Sequence, residues 1–228
     1  MEKKSFSIKE AIKFGWNKMR ENLGFFIIFL VVCFLVNFFF ETFAGLFEER
    51  LPIFSLLFSL GGVLASFLIS FISIRIALNI CDGAALKASE LLQFPLRRFL
   101  RFILGNILYI LLVAAGFMLL IVPGLIWMIK YQYVPYLIVD KDSPVGEAFS
   151  ESGRITSGVK WPLFWFAMLL GLINIAGALF FLVGLFVTIP TTIVAVAYVY
   201  RKLSSGGDGP VSTAAYDNNP FAAPGTAR

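Results

Sequence analysis

The residues whose chemistry stands out lie close together in one apolar stretch, from Leu119 to Val139, in which Lys130 is the single charged residue. At about 100° per residue of helix, Trp127, Lys130 and Tyr133 share an arc of about 120°, and Tyr136 lies about 60° beyond it. Aromatic faces beside an ammonium group offer cation–π stabilisation. The spacing therefore predicts a contact between these four side chains and an anionic ligand, such as a phospholipid headgroup.

The sequence leaves a structural role open for the same lysine. Its long side chain can reach towards lipid headgroups while its stem stays in an apolar layer. Glu41, at the end of the first apolar run, is a candidate ion-pair partner. Arg75, directly after the second apolar run, is either an anchor at a membrane interface or a further contact for the same anionic ligand.

No motif predicts catalysis. The chain has no histidine, which removes the usual general base and the usual zinc ligand. No phosphate-binding glycine loop and no nucleophile elbow is present. The acidic residues after the stretch fit no calcium-loop spacing, and we expect them to cap a helix; they are Asp140, Asp142, Glu147 and Glu151. We predict a non-enzymatic chain with no catalytic residue, metal, cofactor or nucleic-acid partner, and with Cys33 and Cys81 free.

The composition indicates a polytopic membrane protein. Hydrophobic residues make up 59% of the 228 positions and charged residues only 14%. About 18 or more uncharged residues span the hydrocarbon core of a bilayer as a helix. Four such runs are present: Leu23 to Phe40, Leu51 to Ile74, Phe102 to Ile129 and Trp161 to Tyr200. The last two runs are long enough to be divided.

We divide the third run at Pro123-Gly124, where a proline and a glycine favour a turn, and the fourth near Val183-Gly184. The resulting fourth span, from about Gly124 to Val139, is short, and Pro135 predicts a bend within it. The chain then has six transmembrane helices in one membrane domain, residues 1–202. The Gly-, Ser- and Pro-rich tail, residues 203–228, is predicted to be disordered and cytoplasmic.

The basic residues predict the orientation. Of the 19 Lys and Arg residues, 17 fall in segments that six spans would place on one side, Arg50 falls on the other, and Lys130 lies within a span. The positive-inside rule puts the 17 in the cytoplasm. We therefore expect a multi-pass protein of the cell (inner) membrane with both termini cytoplasmic.

A similar polar stretch precedes each pair of spans, beginning at Ser7, Lys87 and Ser143. Ser7 and Glu10 match a capping box, while Ser143 before a proline is a suitable N-cap and Ser157-Gly158 a suitable stop. We predict three cytoplasmic amphipathic helices at the membrane interface. The first would use the apolar face formed by Ile8, Ile12, Trp16 and Met19. The chain would then contain three parallel units of helix plus hairpin, residues 7–81, 87–139 and 143–201.

A family resemblance is carried by residues 75–203. Its motifs are Val122-Pro123-Gly124, Tyr131–Tyr136 with Pro135, Asp140, Glu147-Ala148, Ser152, Arg154–Gly158, and the final run LVGLFVTIPTTIVAVAYVYRKL. In these the chain resembles a bacterial family of uncharacterised integral membrane proteins, related to the membrane domain of some glycerophosphodiester phosphodiesterases. The resemblance implies six helical spans and assigns no activity, because the role of this family is largely unassigned.

Two functions follow as hypotheses. The first is a scaffold or accessory subunit that contacts membrane lipids or another membrane protein. The second is a transporter or channel for a lipid or small anion, with Lys130 in the path. The sequence sets neither the substrate nor the partner nor the oligomeric state.

The predicted orientation can be tested by labelling. A cysteine introduced at Ala84, in a variant lacking Cys33 and Cys81, should react with a membrane-impermeant maleimide only after cells are permeabilised. The reason is that residues 82–98 are expected to be cytoplasmic. A cysteine at Glu49 is the matched control and should react in intact cells. Labelling of the Ala84 position in intact cells would contradict the orientation.

Overall fold

A computed structural model describes residues 6–49, 51–84, 86, 91, 93–179 and 184–205. These residues form helices and connecting turns, with no strand. The helices are α1 (Ile8–Glu21), α2 (Leu23–Phe47), α3 (Pro52–Cys81), α4 (Leu96–Leu119), α5 (Ile121–Tyr131), α6 (Val134–Lys141), α7 (Val145–Ile155), α8 (Lys160–Leu179) and α9 (Leu185–Ser204). Residues 87–90 and 92 of the predicted helix beginning near Lys87 lie outside the described residues, and so does the predicted disordered tail from residue 206 onward.

Four helices are long and apolar enough to cross a membrane: α2, α3, α4 and α8. They indicate a membrane protein. The helices α2 and α3 extend beyond the uncharged runs that predicted them, since α2 continues through Glu41 and α3 continues through Arg75. The predicted fourth span corresponds to two shorter helices, α5 and α6, and the predicted sixth to α9.

The helix α1 begins where the sequence predicted. The backbone N–H of Glu10 donates to the hydroxyl of Ser7 at 3.3 Å, which satisfies one of the free donors at the helix start. Ala11, Gly15 and Met19 are buried within the protein, whereas Trp16, on the face predicted to lie at the membrane interface, is 45% exposed. The interfacial role of that face stays a prediction.

The buried face of α1 packs along α9. The Phe14 ring stacks on Tyr198 with centroids 4.7 Å apart, and Lys202 forms an ion pair with Glu10 at 3.3 Å. A Cβ atom at Gly15 would overlap the carbonyl oxygen of Thr191. The small residues of α1 therefore determine its packing partner, because only they allow the two backbones to approach closely.

The helices α4 and α5 form a tight hairpin whose turn lies earlier than predicted. The break is at Leu120, and Pro123 lies inside the first turn of α5. Proline is tolerated there because the first N–H groups of a helix have no intrahelical partner. A Cβ atom at Gly116 would lie 2.9 Å from the Cα of Gly124, so the two glycines allow the hairpin to close.

The bend predicted near Pro135 is present as a break between α5 and α6. Gln132 and Tyr133 separate the two helices, and Pro135 lies in the first turn of α6. The break frees backbone carbonyls of α5. The carbonyl of Lys130 accepts hydrogen bonds from the Ser152 hydroxyl at 2.9 Å and the Thr156 hydroxyl at 3.2 Å, so α7 completes the end of α5.

The helix α7 differs from its prediction at one end. The residue before its first turn is Pro144, with no side-chain cap, so Ser143 is not the N-cap. At the other end the predicted stop is present: the helix ends at Ile155, and Gly158 has a φ of 84°, a conformation that favours glycine.

The packed core lies at one end of the long helices. In α3 the buried residues run from Phe71 to Cys81 only, and in α9 from Pro190 to Leu203. Large apolar side chains on the remaining lengths of α2, α3 and α4 are mostly exposed. An apolar exposure of this extent indicates lipid or protein contact rather than water.

The contact between α1 and α9 can be tested at its glycine. Gly15→Leu should lower the free energy of unfolding by about 1–3 kcal/mol, because the added side chain overlaps α9. Gly24→Leu is the control, since no atom lies within 4 Å of a Cβ at that position. Both changes gain similar helix propensity, so a difference in thermal unfolding in mild detergent reports the contact. Equal stabilities would contradict this packing.

Candidate functional site

The structure places Lys130 against α7. Its Cε atom would lie 3.0 Å from a Cβ atom at Gly153, and its ammonium group lies over the Tyr131 ring, 4.9 Å from the centroid. No carboxylate of the described residues forms an ion pair with it. The proposed pairing with Glu41 is therefore not seen, and the aromatic partner of Lys130 is Tyr131 rather than a residue of the predicted arc.

The predicted aromatic residues separate into two places. Tyr133 is fully buried, and its ring packs on Tyr136 and Tyr200 with centroids 5.9 and 5.8 Å away. Trp127 faces the α4–α5 hairpin, 3.0 Å from a Cβ at Gly116. The structure thus brings Tyr133 and Tyr136 together in the core, apart from the Lys130–Tyr131 contact. A ligand at Lys130 remains a prediction, and so does transport through it.

Arg75 is a buried residue of α3, only 4% exposed. Its guanidinium donates to the carbonyl of Leu91 at 2.7 Å and to that of Gln93 at 3.1 Å. It also lies over the Phe94 ring, 6.0 Å from the centroid. Arg75 therefore holds the segment that leads into α4. This is a positioning role, and a ligand contact at Arg75 stays a prediction.

A buried ionic cluster that the sequence did not predict joins three helices. Arg201 of α9 pairs with Asp82, directly after α3, at 2.6 Å and with Asp140 of α6 at 2.7 Å. The Tyr200 hydroxyl donates to the same Asp140 oxygen at 2.8 Å. The side chains of Asp82, Arg201 and Asp140 are 2, 10 and 13% exposed. Two carboxylates thus share one guanidinium away from water.

The electrostatics of the cluster follow from its burial. Burial raises the pKa of the Asp82 carboxyl above its ordinary value, and the charge and hydrogen bond of Arg201 act in the opposite direction. Removing Arg201 would leave two buried carboxylates without their cation. A buried charge that loses its partner is strongly destabilising.

The other acidic residues form separate pairs and do not make one cation site. Asp142 pairs with Arg98 at 3.2 Å and Arg101 at 3.1 Å, which ties the end of α6 to α4. Glu151 pairs with Lys141 at 2.8 Å and joins α7 to α6. Partial burial acts to raise the pKa of Glu151, but its hydrogen bonds and charge contacts outweigh this and hold that pKa below its ordinary value. Among the residues described, no group of three or more metal-ligating side chains occurs.

A cleft of about 520 Å³ lies between α2, α3 and α4 and is the strongest candidate for an interaction site. Phenylalanines and small residues form much of its wall. Its polar lining comes from Asn37, Glu41, Ser59, Ser66, Ser70 and Asn106. The Ser66 hydroxyl donates to the side-chain oxygen of Asn37 at 3.2 Å, an interhelical bond between α3 and α2. No described residue forms an ion pair with Glu41, which is exposed.

The small residues of α3 differ in what they face. Gly61 and Gly62 pack against the Phe40 ring and bring α2 and α3 together. Ser59, Ser66 and Ser70 instead face an open space. Their helical spacing was visible in the sequence, but which side of the hairpin they occupy depends on the pairing of α2 with α3.

Comparisons with models of protein families, with curated proteins and with solved structures found no match to this chain. The relation to the phosphodiesterase-linked membrane family therefore stays a prediction. The candidate site is defined by the geometry of the chain alone.

The ionic cluster can be tested by adjacent substitutions. Arg201→Gln should lower the free energy of unfolding by about 3–5 kcal/mol, because it leaves Asp82 and Asp140 buried without their cation. Lys202→Gln is the matched control. It removes a more exposed pair with Glu10 and should cost about 1 kcal/mol or less. Unfolding titrations in mixed micelles measure both, and equal losses would contradict the role given to Arg201.

Proposed function

We propose that this chain is a non-enzymatic integral membrane protein that serves as a scaffold or accessory subunit. Its helices would contact membrane lipid and the transmembrane helix of another membrane protein. Four apolar helices support the membrane assignment. The exposure of large apolar side chains along α2, α3 and α4 supports direct contact with lipid or protein.

Six spans with both termini in the cytoplasm of a cell (inner) membrane are part of this proposal. The short pair α5–α6 would form the fourth span and α9 the sixth. The support for the orientation is the distribution of basic residues. The predicted interfacial role of α1 and α7 is supported by charged residues on their exposed faces, such as Lys13 and Arg154.

The threefold helix-plus-hairpin arrangement gains support from the ionic cluster. In each unit the second, returning span ends at or beside one member of that cluster: Asp82 after α3, Asp140 in α6 and Arg201 in α9. Three units related by an axis along the membrane normal would bring their equivalent ends together in this way.

The observation that carries the partner assignment is the polar cleft between α2, α3 and α4. Polar groups gain little from lipid tails, since hydrocarbon offers no hydrogen bonds. A carboxylate among apolar helices is costly and is normally paired. Glu41 and the amides of Asn37 and Asn106 therefore favour an occupant that brings donors into the cleft.

A transmembrane helix with a basic or amide side chain fits these requirements. Small residues permit close approach of helix backbones, and Ser59, Ser66 and Ser70 line one wall of the cleft. Glu41 would select between partner helices. A helix with a lysine would pair with its carboxylate, whereas a purely apolar helix would leave the carboxylate unpaired.

The partner assignment can be tested with defined peptides in bilayers. A leucine-rich transmembrane peptide with one central lysine should associate with the reconstituted chain more tightly than an all-leucine peptide, measured by energy transfer. Glu41→Gln should weaken that association by about 1 kcal/mol, a usual magnitude for interhelical polar contacts in membranes. Ser70→Leu, which fills the cleft, should weaken the association of both peptides with the chain.

The controls lie outside the cleft lining. Glu48→Gln removes a neighbouring exposed carboxylate, and Thr42→Leu adds the same bulk on α2. Neither should change peptide association. If the lysine peptide binds the Glu41→Gln chain as it binds the unaltered one, the assignment of the cleft is wrong.

A further inference from the structure

A second cleft, of about 510 Å³, lies between α5 and the start of α8 and is separate from the site of the proposed partner helix. One wall is the apolar side of α5, from Val122 to Ile129. The other is formed by Trp161 and Phe164 of α8, whose rings meet edge to face with centroids 6.0 Å apart. The volume is in the range of sites that enclose a small ligand.

The end of this cleft beside the α7–α8 turn is polar and positive. Lys160 is the one charged residue among the described residues that line it, and the turn residues Ser157 and Gly158 lie beside it. Lys160 and Trp161 are also the first residues of α8. The first N–H groups of a helix have no intrahelical acceptor and carry a partial positive charge.

The two ends of the cleft therefore differ in chemistry. The ammonium of Lys160 and the N-terminus of α8 favour an anion, and the turn can supply the Ser157 hydroxyl as a donor. About 10 Å of α5, from Ile129 back to Val122, provides an apolar strip at 1.5 Å per residue. Trp161, 74% exposed, has the amphipathic ring that is enriched where hydrocarbon meets headgroups.

We propose that this cleft binds one anionic glycerophospholipid, with its phosphate at Lys160 and Ser157 and the first part of one acyl chain along α5. The inference rests on the proposed membrane embedding and names one lipid contact within it. It is independent of the partner helix at α2–α3. The described residues that line it include Lys160 and no carboxylate, so their net charge is positive and favours a lipid of net negative charge over a zwitterionic one.

The test uses the full chain in detergent, with phosphatidylglycerol and phosphatidylcholine of identical acyl chains as the probes. Native mass spectrometry should detect one phosphatidylglycerol retained per chain, bound more tightly than phosphatidylcholine. Lys160→Gln should weaken phosphatidylglycerol binding by about fivefold, the value of one basic residue near an anionic headgroup. It should weaken phosphatidylcholine binding less, because that lipid has no net charge, and so reduce the selectivity.

Two further variants make the result decisive. Ile126→Trp places a larger side chain in the apolar strip at a position that is 42% exposed, and should weaken the binding of both lipids. Lys13→Gln removes an exposed lysine of α1 outside the cleft and should change neither. Retention of phosphatidylglycerol by Lys160→Gln at the unaltered affinity, or an equal loss in Lys13→Gln, would overturn the proposal. A separate experiment tests the membrane embedding: if alkaline carbonate extracted the chain from membranes, that embedding would be overturned.

Discussion

The fold depends on one guanidinium shared by two carboxylates. Arg201 binds Asp82 and Asp140, and these residues lie on or beside three helices that are distant along the chain. Their charges are largely shielded from water, so each is tolerable only while the others are in place. Tyr200, which donates to Asp140, and Tyr133, whose ring packs on Tyr200, are both fully buried. Specificity of helix arrangement, more than net stabilisation, is what such a cluster provides.

The molecule has a packed end near this cluster and a largely exposed end away from it. Buried apolar residues are concentrated near the cluster, where α3, α6 and α9 meet, and are few along the far lengths of α2 and α3. Soluble proteins place their apolar surface inside, whereas here much of it faces outward. In lipid, exposure of these apolar side chains carries no unfavourable solvation free energy. The long hairpin of α2 and α3 extends from the packed end. The two clefts both lie on the outward part, where an occupant from the membrane can enter.

Features set by residues that are close in sequence could be predicted, whereas contacts between residues far apart in sequence could not. The apolar runs, the Ser7 cap and the break near Pro135 are local, and each was predicted because neighbouring residues determine it. The face of α1 that packs on α9 was not predicted, because Ala11 and Gly15 are small and size alone does not show where a partner backbone approaches. The Asp82–Arg201 pair joins residues 119 positions apart. No periodicity connects such residues, so Arg201 was interpreted only as a basic residue marking the cytoplasmic side, and Asp140 only as a helix cap.

The hydroxyls that complete α5 have a consequence for biosynthesis. The carbonyl of Lys130 is satisfied by Ser152 and Thr156, which are translated more than twenty residues later. If α5 and α6 form a span, as proposed, the Lys130 carbonyl would lack these donors in hydrocarbon until α7 has been synthesised. We therefore expect stable insertion of this pair to depend on synthesis of α7.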